Sequence, residues 1–214
     1  IVSVITLYPF VYVLALSLSS NRAIMSGEVS LIPVDYNIFS YKAIVKDGQI
    51  FHSMLNSAII TSIGTLISLV VTACTAYPLS KDYLKGKNII MGIIVVSTLF
   101  NAGIIPNYLL IKSMGLINTY GALWLPAAVN TFNLLIMITF FRQLPEALEE
   151  AAVIDGCNEI MVLLKIVVPV STPILATMTL FYAVAYWNDF FTPLLYITKS
   201  RMWPMTVKLR QIIM

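Results

Sequence analysis

Arg142 to Pro169 reads RQLPEALEEAAVIDGCNEIMVLLKIVVP, the one stretch of this 214-residue chain where acidic residues gather: Glu146, Glu149, Glu150, Asp155 and Glu159. Apolar runs long enough to cross a bilayer flank it on both sides, so this charged island must sit in water between two membrane spans. Pro145 suits a first helical position, where its missing N–H costs nothing. Glu146, Glu149 and Glu150 fall in the first turns, where carboxylates complement the positive end of the helix dipole. Leu144, Leu148, Ala151, Ala152 and Asp155 recur at three- and four-residue spacing, which predicts one small, apolar side with glutamates at its flank. Gly156 supplies the residue that can turn left-handed and end the helix. Asn158 then caps a second helix, whose apolar run from Ile160 to Val168 stops at Pro169. The expectation is helix, sharp turn, helix.

The rest of the composition agrees with a membrane setting. The chain is 59% hydrophobic and 11% charged, whereas soluble domains carry about 25% charged residues. The class is therefore an all-α, polytopic membrane helical bundle, read as a single transmembrane domain over residues 1–214. A net charge of +3, dispersed along the chain, gives no reason to expect nucleic acid as a partner. Cys74 and Cys157 form neither a disulfide framework nor a metal spacing, and both read as packing residues.

Five spans are expected: Ile1–Leu18 (interrupted by Pro9), Ser53–Leu79, Ile89–Ile105 with Asn101 in it and Pro106 at its end, Leu123–Phe141, and Pro173–Ile197. A polar segment, Ser19 to His52, separates the first two. The second span carries Ser57, Thr61, Ser62, Thr65, Ser68 and Thr72 with Ala58 and Gly64, the small and hydroxyl residues by which helices pack in lipid. A hydroxyl-lined solute path is the alternative reading. Lys81, Lys85 and Lys87 crowd the loop that follows, a local signature of the cytoplasmic side. Two spans separate that loop from the acidic island, so both lie on the same side. The overall charge bias does not decide orientation. The fourth span holds Asn130 and Asn133 near mid-depth. In the fifth, Tyr182, Tyr186 and Asp189 follow at steps of four and three and share a face, with Trp187 and Asn188 beside them. Aromatic faces with hydrogen-bonding tips suit sugar rings; an interfacial aromatic belt is the alternative, chiefly for Trp187 and Phe191.

No catalytic constellation emerges. His52 has no metal-ligand neighbours in sequence, and Gly86-Lys87 lacks the upstream glycine and following Ser/Thr of a phosphate loop. An ion-driven carrier would need paired charges inside spans, for which Asp189 is the sole candidate.

Glu150-Ala151-Ala152, Gly156 and Ile166-Val167-Val168-Pro169, at their fixed spacing, resemble the EAA loop of binding-protein-dependent ABC importer permeases. Val168 stands where that pattern has Leu. AYPLSKDYLKGKN resembles the same family's turn after the second span, with Lys81 for Arg. NYLLIKSMGLINTYGALWLP resembles its linker, expected as a helix along the outer face, and IPVDYNIFSYKAIV its outer segment. With WNDFFTPLL, the likeness is greatest to the maltose-type carbohydrate permeases. It implies the type I permease fold, with six spans in the intact protein, in the cell membrane. It also implies a second homologous permease, two ATPase subunits that bind ATP and Mg, and an extracellular solute-binding protein. This chain then needs no cofactor of its own. The island (142–169) becomes the coupling helix, with Glu150, Ala151, Ala152 and Gly156 as main contacts, Glu149 and Asp155 in support, and Ile166 and Pro169 closing the motif. The solute would be an oligosaccharide or glycan fragment, passing Asn130, Asn133, Tyr182, Tyr186, Trp187, Asn188 and Asp189. A non-sugar solute such as a polyamine, phosphate or peptide is the alternative.

Overall fold

The computed structural model describes residues 2–39, 41–42, 48–100 and 102–213. Asn101, expected inside the third span, and part of the IPVDYNIFSYKAIV segment lie outside the described residues. Within them every regular element is helical, and the chain divides into two compact units, residues 1–52 and 53–214.

In the first unit, α1 (Val2–Ser17) continues across Pro9. A proline there removes one backbone bond, a loss that apolar helices in lipid tolerate. Ser19 then ties the turn: its hydroxyl donates to the Ala15 carbonyl at 2.6 Å and accepts from the Val34 N–H at 3.1 Å. Ser20 caps α2 (Asn21–Met25) by accepting from the Ala23 N–H. Ala15, Ala23 and Val29 form the small core.

The second unit is built along α3 (Gln49–Ser80), which among the described residues is the one unbroken helix long and apolar enough to span a bilayer. At about 1.5 Å per residue its 32 residues exceed the roughly 30 Å hydrocarbon core. The other three expected spans of this unit are bent pairs. α4 (Lys87–Leu99) meets α5 (Ile104–Ser113) at 116°, α6 (Gly121–Ala127) meets α7 (Thr131–Arg142) at 52°, and α9 (Glu159–Val170) meets α10 (Thr172–Asn188) at 85°. Between them lies α8 (Glu146–Ile154), and the chain ends in α11 (Phe191–Tyr196) and α12 (Met205–Ile213).

These breaks correct four boundaries. Ile104 and Ile105 open α5 instead of closing the third span, because Gly103 turns the chain at φ 86°. Pro106 falls in the first turn of α5, where a proline removes no needed bond. The fourth span breaks before Asn130, whose extended backbone and side chain start α7: its Oδ1 accepts from the Asn133 N–H at 3.1 Å. The fifth breaks at Asp189, also extended, whose Oδ1 accepts from the Thr192 N–H at 3.1 Å and opens α11. Pro169 does not stop its helix, which runs on to Val170. Leu163–Val167 forms a π turn just before it. That wider turn relieves the clash a proline ring makes with the preceding turn, and the helix yields at Ser171 instead.

Packing follows α3 like a ladder. Its Asn56 amide donates to the Arg201 and Trp203 carbonyls at 2.8 and 3.1 Å, and Ser57 accepts from the Met205 N–H at 2.8 Å. Further along, the Trp124 indole donates to the Ile60 carbonyl at 3.1 Å. Gly64 faces Tyr186 and Trp124 so closely that an added Cβ would lie 2.8 Å from the tyrosine ring. Ser68 and Thr72 then meet Tyr186 and Tyr182 at 3.0 and 2.7 Å. From Asn56 to Thr72 this ladder climbs about 24 Å. The small and hydroxyl residues of α3 are thus packing contacts, as lipid-embedded helices need. Ala58, Ser62 and Cys74 are exposed and leave that list, whereas Cys157 packs against the core. Buried Leu134, Met137, Ile138 and Phe141 of α7 and Met178 of α10 fill the centre.

Candidate functional site

Two clusters of the expected residues come together, one at the elbow and one at the break in the fourth span. At the elbow, Pro145 takes the cap position just outside α8, its backbone extended, and Glu146 and Glu149 occupy the first turn. Gly156 has φ 83°, its N–H donates to the Val153 carbonyl at 3.0 Å, and the Cys157 N–H reaches back to the Ala152 carbonyl at 2.9 Å. This pair of reversed bonds around a left-handed glycine ends a helix while satisfying its last carbonyls. Asn158 starts α9 by accepting from the Met161 N–H at 2.9 Å.

The helix does not turn one apolar side outward. Ala152 is buried in the chain's own core and Leu144 is half-buried, while Leu148, Ala151 and Asp155 are exposed. Ile166 also packs against the core, and Pro169 is exposed beside the bend. What the elbow leaves uncovered is larger than the sequence pattern suggested: Ile154 is 86% exposed, Ile160 69% and Leu164 61%, beside exposed Glu150. Ile154, Ile160 and Leu164 are not among the expected contacts, which follow the motif residues and not the exposed side of the two helices.

The inner surface of the elbow is polar and tied to the lysine loop. Lys81 forms an ion pair with Glu149. The Tyr77 hydroxyl lies 3.1 Å from Glu159 Oε2 and 3.4 Å from Glu149 Oε2, and the Tyr83 hydroxyl donates to Glu159 Oε1 at 3.1 Å. Partial burial, and then the Glu159 carboxylate, hold the Tyr83 phenol above its ordinary pKa. In the same loop, the hydrogen bond from Lys87 holds the Asp82 carboxyl below the usual range. The two loops therefore lie on one side of the bundle, as their separation by two spans requires.

The second cluster lines a cavity of about 450 Å³ formed by Asn130, Asn133, Tyr182, Tyr186, Asn188 and Asp189 with Pro126 to Val129 nearby. Six of the seven expected path residues share this wall. Trp187 does not, and is exposed on the opposite side of α10. The two tyrosine hydroxyls are already engaged. Tyr182 bridges Thr72 Oγ1 at 2.7 Å and the Asn130 N–H at 3.3 Å. Tyr186 pairs with Ser68, whose hydroxyl also lies 3.4 Å from the Ala127 carbonyl. Backbone groups freed by the break between α6 and α7 are thus satisfied by α3 and α10, the condition for a broken helix at membrane depth. Asn133, 6% exposed, lines the cavity. Asp189 spends one carboxylate oxygen on the Thr192 N–H. Among the described residues no cluster of His, Cys, Asp or Glu is arranged to hold a metal.

Residues 84–213 match the family described as the binding-protein-dependent transport system inner membrane component. Protein LplC of Bacillus subtilis (strain 168) is 44% identical over 211 residues, 99% of this chain and 72% of its own length. The polygalacturonan/rhamnogalacturonan transport system permease protein YtcP of the same strain is 42% identical, covering 99% of this chain and 74% of its own. A crystal structure of a bacterial ABC transporter involved in the import of the acidic polysaccharide alginate superimposes with a TM-score of 0.95 at 33% identity, covering 99% of this chain and 75% of that one. The chain belongs to the inner-membrane components of binding-protein-dependent transport systems, the permease subunits of ABC importers.

Proposed function

We propose that this chain forms one side of the translocation path for a carbohydrate in an ATP-driven importer, and that its elbow is the handle a separate ATPase subunit holds. The carrying observation is the exposed apolar rim of Ile154, Ile160 and Leu164 around a rigid turn, on the side of the bundle that also bears the lysine loop. Apolar residues ringed by carboxylates match the anatomy of a docking interface. ATP and Mg would be bound by the ATPase pair. A second, homologous permease would supply the facing half of the path, and an extracellular solute-binding protein would deliver the sugar. Closing the ATPase pair would draw the elbow along and tilt α7 and α9, which are continuous with it, opening the path outward.

Support for a carbohydrate comes from the relatives, whose names include polygalacturonan, rhamnogalacturonan, trehalose and maltose transport. The cavity agrees: amides and tyrosine rings suit hydroxyl-rich rings. The test is Gly156→Pro in the reconstituted complex. A proline cannot take the positive φ at this position, and it lacks the N–H given to Val153. Uptake and stimulated ATP hydrolysis should both vanish while membrane insertion survives; normal uptake would remove the coupling role. For the path, Asn133→Ala should lower sugar uptake, and unchanged uptake would take Asn133 off the route.

A further inference from the structure

The elbow is continuous with α7 on one side and α9 on the other, but α3 joins it only through side chains. We propose that Lys81 and Glu149, with Tyr77 and Glu159 behind them, form a brace that makes α3 travel with the elbow during the ATP-driven stroke. This rests on the coupling reading above and adds a third helix to those that the stroke moves.

The geometry is that of a grip. Tyr77 and Lys81 stand four residues apart at the end of α3 and meet two different helices. Lys81 reaches Glu149 on α8, and the Tyr77 hydroxyl lies between Glu149 and Glu159, the latter on α9. Contacts to both arms of the elbow resist rotation as well as sliding. The Lys81 ammonium also lies 4.7 Å from the centre of the Tyr77 ring, so one cation is held by a carboxylate and an aromatic face together. The side chains of Lys81 and Glu149 are only 13% and 17% exposed, which shields the pair from the screening that weakens surface ion pairs. They line a cavity of about 620 Å³ together with Arg142, Glu146 and Glu150.

What α3 carries gives the brace its consequence. Five residues back along the same helix, Thr72 holds Tyr182, and one turn further Ser68 holds Tyr186. Those hydroxyls satisfy Asn130 and Ala127 at the break in the fourth span. A pull on the Lys81 end of α3 therefore acts directly on the wall of the polar cavity, without passing through the 85° corner at Ser171.

The experiment measures the distance between spin labels at Ala147, on the elbow, and Leu66, on the exposed side of α3, in the full importer complex with and without ATP and Mg. In the wild type and in Lys81→Arg the distance should stay the same on adding ATP. In Lys81→Met it should match the wild type without ATP and lengthen when ATP is added. The proposal is overturned if Lys81→Met shows no lengthening, or if its distance is already altered without ATP, which would mark a local structural contact only. Gly156→Pro in the same complex separates the two readings. Loss of both uptake and stimulated hydrolysis there, with an unmoved Lys81→Met distance, sinks the brace alone, whereas normal uptake there sinks the coupling reading beneath it.

Discussion

The elbow and the tyrosine ladder both concentrate polar chemistry, but they spend it in opposite ways. Along α3, Tyr182, Tyr186, Ser68 and Thr72 use their hydroxyls on one another and on the broken backbone of the fourth span. The elbow satisfies its backbone with its own turn and its inner carboxylates with Lys81 and two tyrosines, and leaves large aliphatic residues uncovered. In lipid an exposed aliphatic side chain means nothing. Beside the elbow's carboxylates it is the kind of surface that a partner, on the proposed reading, would cover. The ladder holds the chain together, whereas the elbow, on the proposed coupling reading, is where a separate subunit would take hold.

The contrast breaks first if the ladder proves loose. Gly64→Val should give the largest loss, because its Cβ would meet the Tyr186 ring at 2.8 Å and the Trp124 indole at 3.0 Å. Both rings are pinned by hydrogen bonds, so neither can withdraw cheaply. A cost of about 3 kcal/mol is expected, read as a lowered thermal midpoint in detergent. Adding Tyr186→Leu to Gly64→Ala should recover part of the smaller loss that Gly64→Ala causes. Full stability of Gly64→Val would show that α3, α6 and α10 do not pack as described.

Tyr182→Phe comes next. It removes one oxygen and strands two groups, the Thr72 hydroxyl and the Asn130 N–H. The loss should be about 1.5 kcal/mol, and Tyr186→Phe should cost less, since Ser68 keeps the Ala127 carbonyl within reach. Equal effects from the two would mean that the break in the fourth span does not depend on Tyr182.

How much of this could be read beforehand differs between the two regions. The turn chemistry of the elbow was legible, because Gly156 and Asn158 act on backbone within a few residues of themselves. The common face of Tyr182, Tyr186 and Asp189 was legible from helical spacing, but that Asn130 and Asn133 of another helix join their wall was not, and Trp187, expected on the path, lies outside it. The breaks were not. An apolar run reads alike whether its helix is straight or bent, so Asn130 and Asp189 looked like polar residues within spans when each opens a new helix. Nor could the sequence reveal which hydroxyl each tyrosine meets, since those partners lie more than a hundred residues away. Asn118 is a further case. Its φ of 61° aims its side-chain oxygen at the Thr198 and Lys199 N–H groups, 2.7 and 3.2 Å away, a long-range tie inside a motif that reads as a simple turn.

Gly156→Ala sharpens the comparison from the elbow side. Nothing lies within 4 Å of an added Cβ, so the cost is backbone strain alone at φ 83°, about 1 kcal/mol. Because the strain sits in the turn, protease cleavage near Cys157 should increase while the global midpoint moves little. A large drop in that midpoint would mean that the elbow is part of the cooperative core.

Ile154→Ser should have the smallest effect on the chain itself and separates the two regions most cleanly. Its side chain is 86% exposed, so removing it opens no cavity and strands no polar group. Its folding stability should stay within about 0.5 kcal/mol of wild type. Were the exposed aliphatic rim only lipid-facing surface, binding of the ATPase subunit would be equally unaffected. If the rim is a docking surface, the same change puts a hydroxyl where an apolar contact was, and the ATPase should dissociate more easily from the purified complex. A variant that is stable alone and loose in the complex distinguishes a surface built for a partner from a core built for itself, a division that no ladder residue can show.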